Sequence, residues 1–233
     1  MWRNPFRQLN RRDWLFLTVS LAVVILCMML TPTASVITKI AVTVGVVSLI
    51  FLAKGDVWGQ ALMVVFSILY GITSWQFRYY GEMITYLGMT LPMAVLGLVS
   101  WLRHPFDGNA AQVEIHRLTG CQKVVMTVGA VAVTGLLGWV LYWLHTPNLL
   151  FSVLSITTSF VAAYLTYCRS SYYALAYAAN DVILVVLWVL ASVKDRSFTP
   201  MIACFLVFFA NDLYGFFSWK RREKEQQAMS GNR

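Results

Sequence analysis

Eight apolar runs, each close to the length that crosses a bilayer, leave this chain very few ways to fold. They occupy residues 14–30, 34–53, 57–75, 80–101, 123–144, 148–168, 172–193 and 200–219. A hydrocarbon core takes about 20 apolar residues as a helix. In lipid, a lone segment satisfies its backbone only by closing its own helical hydrogen bonds. Charged residues make up 12% of the chain, against about a quarter in soluble domains. The chain therefore reads as an all-α integral membrane protein with eight transmembrane helices, the first to the eighth span in chain order.

Short polar turns join most spans: Lys54-Gly55-Asp56, Gln76-Phe77-Arg78-Tyr79, Arg169-Ser170 and Lys194-Asp195-Arg196. One longer polar loop, 102–122, carries His104, Pro105, Asp107, Glu114, His116 and Arg117. With the N-terminus inside, fourteen of the eighteen basic residues fall on the inner face, and only Lys39, Arg78, Lys194 and Arg196 fall outside. Basic residues collect on the cytoplasmic side, so both termini are expected in the cytoplasm, and the chain in a cell inner membrane. The same bias explains the net charge of +8. The expected large partner is the lipid bilayer, not nucleic acid.

The first run follows a basic leader with Arg3, Arg7, Arg11 and Arg12. It is longer than the usual signal-peptide core and reads as a retained helix; the competing reading is a signal peptide cut after Ala34. The tail 220–233 is charged, and disorder is expected beyond its first few residues. Cys27, Cys121, Cys168 and Cys204 form no CxxC pair and read as free thiols. His104, His116 and His145 show no metal-ligand spacing, so neither metal nor cofactor is expected.

The fourth span, 80–101, is unusual. It holds Pro92 near its middle, with Gly88 and Gly97 to either side. Such breakers are tolerated at membrane depth only inside protein or beside water. Its end, Gly97-x-x-Ser100-Trp101-x-Arg103, returns 118 residues later as Gly215-x-x-Ser218-Trp219-x-Arg221. Spans two to four and six to eight thus form two like-oriented triplets, with the fifth span carrying the chain back between them. This is a 3+1+3 parallel repeat with a substrate site between the halves near the midplane. The segments are a leader with an extra helix (1–31), a first triplet (33–103), a loop with a linker helix (104–145), a second triplet (148–222) and a charged tail (223–233). The fifth span carries Gly129, Gly135 and Gly138, which suit close helix packing.

Polar groups at bilayer depth are expensive and mark function or packing. The seventh span has Asn180-Asp181, and the eighth has Asn211-Asp212 followed by Tyr214. The amides suit a polar ligand, and the carboxylates suit a cation or a proton. Interhelical hydrogen bonding is the plainer account. Asn211 and Asp212 sit about 100° apart round the helix, so both cannot face one ligand. Tyr173, Tyr177 and Tyr214 share these helices and can wall a planar or cationic ring, or pack as ordinary core. Glu82 opens the fourth span where a helix dipole favours an acid, and Gln60 and Gln76 are further polar candidates. Trp58, Trp75, Trp101 and Trp219 fall at span ends and read as interfacial anchors. No phosphate loop, HExxH, GxSxG or Gly-x-Gly-Asp is present, so the chain reads as a non-enzyme whose transport is passive or ion-coupled.

Tyr80-Gly81-Glu82-Met83, Leu91-Pro92-Met93, Gly97 and Trp101, with Asn211-x-x-Tyr214-Gly215-x-x-x-Trp219, resemble the nicotinamide riboside transporter family, PnuC, over residues 33–222. That family's 3+1+3 fold is shared in outline with the SWEET sugar transporters. The resemblance implies facilitated diffusion of a vitamin nucleoside, trapped inside by a cytoplasmic kinase. It points to Tyr173, Asn180, Asn211 and Tyr214 as site residues. The chain departs from the family pattern where Tyr173-x-x-Ala176-x-x-x-Asn180 replaces Trp-x-x-Trp-x-x-x-Asn, and where Thr85 replaces an Asn. The expected substrate is nicotinamide riboside, bound by Tyr173, Tyr177, Asn180, Asp181, Asn211, Asp212, Tyr214, Gln76, Glu82 and Thr85. Thiamine, riboflavin, a sugar, or a scaffold role without transport remain alternatives, and homo-oligomer formation is left open.

Overall fold

The computed structural model describes residues 5–30, 35–76, 80–106, 109–194 and 199–231. Ala34, the turn residues 77–79 and 195–196, and Arg3, Asp107 and Arg233 lie outside the described residues. Among those described, eight helices are long and apolar enough to cross a membrane: Arg11–Met29, Val36–Lys54, Val57–Gln76, Tyr80–Arg103, Gly120–Trp143, Leu149–Tyr167, Tyr173–Val193 and Met201–Met229.

Side-chain chemistry sets several helix starts. Asn10 Oδ1 accepts from the N–H groups of Arg12 and Asp13, and Asp13 returns a bond to the Asn10 N–H. Ser35 caps the second span, and Thr119 with Gln122 forms a capping box for the fifth. Each arrangement fills donors that a helix start leaves empty.

Six spans close a ring. The second packs on the third, the third on the fourth, the fourth on the sixth, the sixth on the seventh, the seventh on the eighth, and the eighth on the second. The first span lies outside against the second and eighth, and the fifth lies against the sixth. Of the fifth span only Ala130 and Leu141 are buried. Two of its three glycines meet a neighbour closely, Gly129 against Phe160 and Gly138 against Val153, whereas Gly135 faces open space.

The turns after the second and sixth spans carry one hydrogen-bond pattern. After the second span, Gly55 donates to Leu52, Asp56 N–H to Phe51, and Gly59 to the Asp56 carbonyl. After the sixth, Arg169 donates to Thr166, Ser170 to Leu165, and Tyr173 to the Ser170 carbonyl. Gly55 and Arg169 both adopt left-handed backbone, at φ 67° and 58°. That conformation is ordinary for glycine and costly for arginine. The 102–122 loop ties to both turns, through Val113 N–H to the Gly55 carbonyl and His116 N–H to the Arg169 carbonyl.

Trp101 and Trp219 are not interfacial anchors. Both are fully buried and pack on each other, with ring centroids 5.4 Å apart. Trp101 Nε1 donates to the Thr166 carbonyl at 2.9 Å, and Trp219 Nε1 to the Leu52 carbonyl at 2.8 Å. An indole so placed satisfies its N–H within protein rather than at the headgroups. Trp75 is exposed, as an anchor would be.

The fourth span is helical on both sides of one wide π turn, Tyr86–Thr90. Pro92 explains its position. Proline has no N–H for the Gly88 carbonyl, and its ring crowds that carbonyl. The chain widens just before it, and Leu91 N–H reaches back to the Tyr86 carbonyl instead. Such turns recur at functional sites.

The tail is ordered, contrary to the expectation of disorder. The last helix runs Thr199–Gly231. Glu223 takes bonds from Arg117, Ser171 and Lys220, and the Gln226 amide bonds the backbone of Ile115 and Val113. The loop it clamps contains a hairpin of Pro105–Phe106 with Asn109–Val113. Partners distant in sequence hold this tail helical.

Candidate functional site

The polar residues fall into three groups. The first lies inside the ring. Asp181 on the seventh span and Asp212 on the eighth are buried, and each stands within electrostatic reach of the other. Asp181 Oδ2 has no partner, and neither has Glu82 Oε2 on the fourth span. Tyr86, presented by the π turn, stands in the field of both Glu82 and Asp181. Tyr70 packs on Tyr86 with centroids 4.2 Å apart. Tyr177 faces both aspartates, and Tyr173 faces Asp212. Tyr173 meets Trp219 edge-on at 4.8 Å. Among the described residues, no lysine or arginine stands beside Glu82, Asp181 or Asp212.

The second group braces this interior or lies above it. Asn180 Oδ1 accepts from Thr158 Oγ1 at 2.8 Å and Ser159 Oγ at 3.0 Å, which fixes its amide against the sixth span. Thr85 donates to the Gly81 carbonyl at 2.9 Å within its own helix. Gln76 is exposed at the end of the third span, accepts from Ser35 Oγ, and borders an open depression with Ile72, Trp75 and Tyr80. Gln60 is buried, with its amide against Gly97, where the missing Cβ leaves room for it.

The third group faces the first span. Asn211 Nδ2 donates to Ser20 Oγ at 2.9 Å and to the Val207 carbonyl, leaving Oδ1 without a partner. Tyr214 stacks on Phe16 at 4.3 Å and donates to Asp13. Asp13 forms a buried ion pair with Lys54 at 2.6 Å. The two halves of Asn211-Asp212 thus point to different neighbours, as their angular separation requires.

Tyr70, Tyr86, Asp13 and Lys54 carry roles that the sequence reading missed. Tyr86 lies four residues after Glu82, so the two share a helix face, and that spacing was readable. Asp13 and Lys54 look like ordinary span ends until the first span docks. Asp13→Ala is expected to lower the thermal midpoint by several degrees, because it strands a buried lysine. Asp13→Leu combined with Lys54→Met should recover most of the loss in the same melting experiment.

A ring interior with three carboxyl groups, flat aromatic faces and, among the described residues, no lysine or arginine beside those carboxyls suits a planar cation. Glu82 is deeply buried with a free oxygen, so the helix dipole alone does not account for it.

The family described as nicotinamide mononucleotide transporter matches residues 35–221. The nicotinamide riboside transporter PnuC of Neisseria mucosa is 23% identical over 193 residues, covering 80% of this chain and 72% of its own. A solved structure, the crystal structure of the vitamin B3 transporter PnuC, superposes with a TM-score of 0.79 at 21% identity, covering 94% of both chains. The matched family region takes in all six ring helices as well as the fifth span, and on that match the chain belongs to the nicotinamide mononucleotide transporter family.

Proposed function

We propose that the protein carries nicotinamide riboside across a cell inner membrane by facilitated diffusion. The observation that carries this reading is the interior set of Glu82, Asp181 and Asp212 beside Tyr70, Tyr86, Tyr173 and Tyr177. The pyridinium ring of the riboside is flat and cationic. A carboxylate and an aromatic face each favour such a ring once water is excluded. The carboxamide and ribose hydroxyls suit Asn180 and the tyrosine hydroxyls. The phosphorylated nucleotide suits the pocket less, because its phosphate would meet three acids, against which stands Arg222 near Tyr173.

The two triplets exchange access to this site by rocking. The matched inner turns and the mirrored Trp101 and Trp219 bonds support that reading. In this structure those bonds tie the halves at the end of the molecule that carries both triplet turns. Pro92 and the π turn give the fourth span its flexing point, with Gly88 and Gly97 nearby. Asn211 and Tyr214 reach a ligand only if the first span moves aside. Both termini face the cytoplasm, where a kinase phosphorylates the riboside and prevents its return.

The test is uptake of labelled nicotinamide riboside into liposomes bearing the purified protein, with thiamine and riboflavin as competitors. Saturable uptake blocked only by unlabelled riboside is the expected result. Uptake of labelled thiamine instead would keep the cation site and replace the substrate.

A further inference from the structure

We infer that five aromatic rings from the third, fourth and eighth spans form a gate over the side of the site away from Trp101 and Trp219, with Tyr86 as its moving part. The inference rests on the rocking motion proposed above and names where that motion must open the second face. Phe66 and Tyr70 stand on the third span, Tyr86 on the fourth, and Phe205 and Phe208 on the eighth, and all five are buried. Tyr70 packs on Tyr86 at 4.2 Å between centroids, and Phe66 packs on both, at 5.5 and 6.0 Å. The halves join through Phe66 with Phe208 at 5.8 Å and Tyr70 with Phe205 at 6.4 Å. In the ring of helices the second span stands between the third and the eighth. These two pairs therefore meet across the interior and not along its wall.

Helix rise places the rings above the aspartates. Tyr173 meets Trp219, and Asp181 follows Tyr173 by eight residues. Asp212 precedes Trp219 by seven. At 1.5 Å per residue, both carboxyl groups lie about 11 Å from the Trp219 layer. Phe208 and Phe205 lie about 17 and 21 Å from that layer, and Tyr86 lies about 22 Å from Trp101. The aspartates thus sit between two contacts that join the halves, the indole bonds on one side and the rings on the other. Rings in contact leave no passage for a nucleoside between them.

Two features allow these rings to part. Tyr86 begins the π turn of the fourth span. Closing that turn to α geometry shortens it by one residue and rotates the segment before it by about 100°. Tyr86 would then leave Tyr70. Gly45 on the second span backs the contact, because a Cβ there would lie 2.9 Å from both Phe66 and Phe208. A bare Cα lets these rings from opposite halves meet in front of it.

Cys204 reports on the gate, being buried one residue before Phe205 and three after Met201, where the last membrane-length segment starts. The experiment uses the purified full chain in detergent, with Cys27, Cys121 and Cys168 replaced by serine and Cys204 labelled by a charged maleimide. Tyr86→Ala and, independently, Gly45→Ala should each raise the labelling rate about tenfold, since losing an aromatic pair shifts a two-state ratio by about that much. Tyr86→Phe keeps the ring and should stay within about twofold of the parent. In the background that keeps Cys168 alone, neither Tyr86→Ala nor Gly45→Ala should raise the rate at the Trp101 seam. Rates that rise together at Cys204 and Cys168 would mean a loosened bundle and overturn the gate. An unchanged Cys204 rate in folded Tyr86→Ala or Gly45→Ala protein overturns it as well. Riboside uptake by the unmodified chain alongside either failure leaves the carrier standing. Absent uptake with the expected labelling keeps the gate and overturns the substrate.

Discussion

Asp212→Asn is expected to weaken binding of nicotinamide riboside by about tenfold to a hundredfold, while binding of the reduced, uncharged riboside changes by less than about threefold. A lost contact between a desolvated cation and its carboxylate is worth about 1.5–3 kcal/mol, and about 1.4 kcal/mol is tenfold. The substitution keeps shape and hydrogen-bonding capacity but removes the group able to become negative. Asp181→Asn should behave alike, because both carboxyl groups face Tyr177 inside the ring. The reduced riboside is the control that separates charge recognition from damage to the pocket. Equilibrium binding to purified protein in detergent reads both ligands. Equal losses for the charged and the neutral riboside would remove the carboxyl pair from charge recognition.

The same comparison bears on the other candidate ligands. A sugar site needs hydrogen bonds and not charge, so Asp→Asn would leave it nearly intact. Riboflavin is planar but uncharged and gains little from three acids. Thiamine is both aromatic and cationic, and the pocket's charge alone does not tell it from the riboside. That choice falls to the amide and hydroxyl contacts, where Tyr173 and Ala176 stand in place of the tryptophans of the family pattern.

Much of the fold was legible because its causes are local. A run of about 20 apolar residues is a span wherever it lies, and all eight runs became helices. Pro92 was legible as a defect, and the π turn beside it follows from its missing donor. The order of the tail was not legible. Its helix depends on Arg117, Ser171 and the 113–115 backbone, which lie far away in the chain. The site was half legible. Asn-Asp in adjacent spans signalled polar chemistry at depth, and the helix angle showed that only one of each neighbouring pair faces a given partner. Choosing between them required the docking of the first span, whose Ser20 takes Asn211 and whose Asp13 takes Tyr214. Nothing in the local pattern of residues 200–219 encodes that contact. Trp101 and Trp219 misled for a related reason. A tryptophan at a span end is usually an anchor, and only the meeting of the two halves turns these two inward.

Those two tryptophans should hold the halves together at one face of the membrane, so Trp101→Phe with Trp219→Phe is expected to open that face about a hundredfold more often. Each substitution keeps most of the apolar packing and removes one indole N–H. Each leaves a buried carbonyl, Thr166 or Leu52, without that donor. One such loss is worth about 1–1.5 kcal/mol, or roughly tenfold in the closed-to-open ratio, and the two should multiply if the bonds act independently. The chain contains its own reporter. Cys168 is buried two residues beyond Thr166, beside the Ser100 bond to the Tyr167 carbonyl. With Cys27, Cys121 and Cys204 replaced by serine, labelling of Cys168 by a charged maleimide measures exposure at that seam. The rate should rise about tenfold for each single variant and multiply in the double. Saturating substrate should change the rate in all of them, because the proposed rocking motion couples the site to the seam. An unchanged labelling rate in a folded double variant would show that the mirrored bonds stabilise each half separately and do not govern the opening between them.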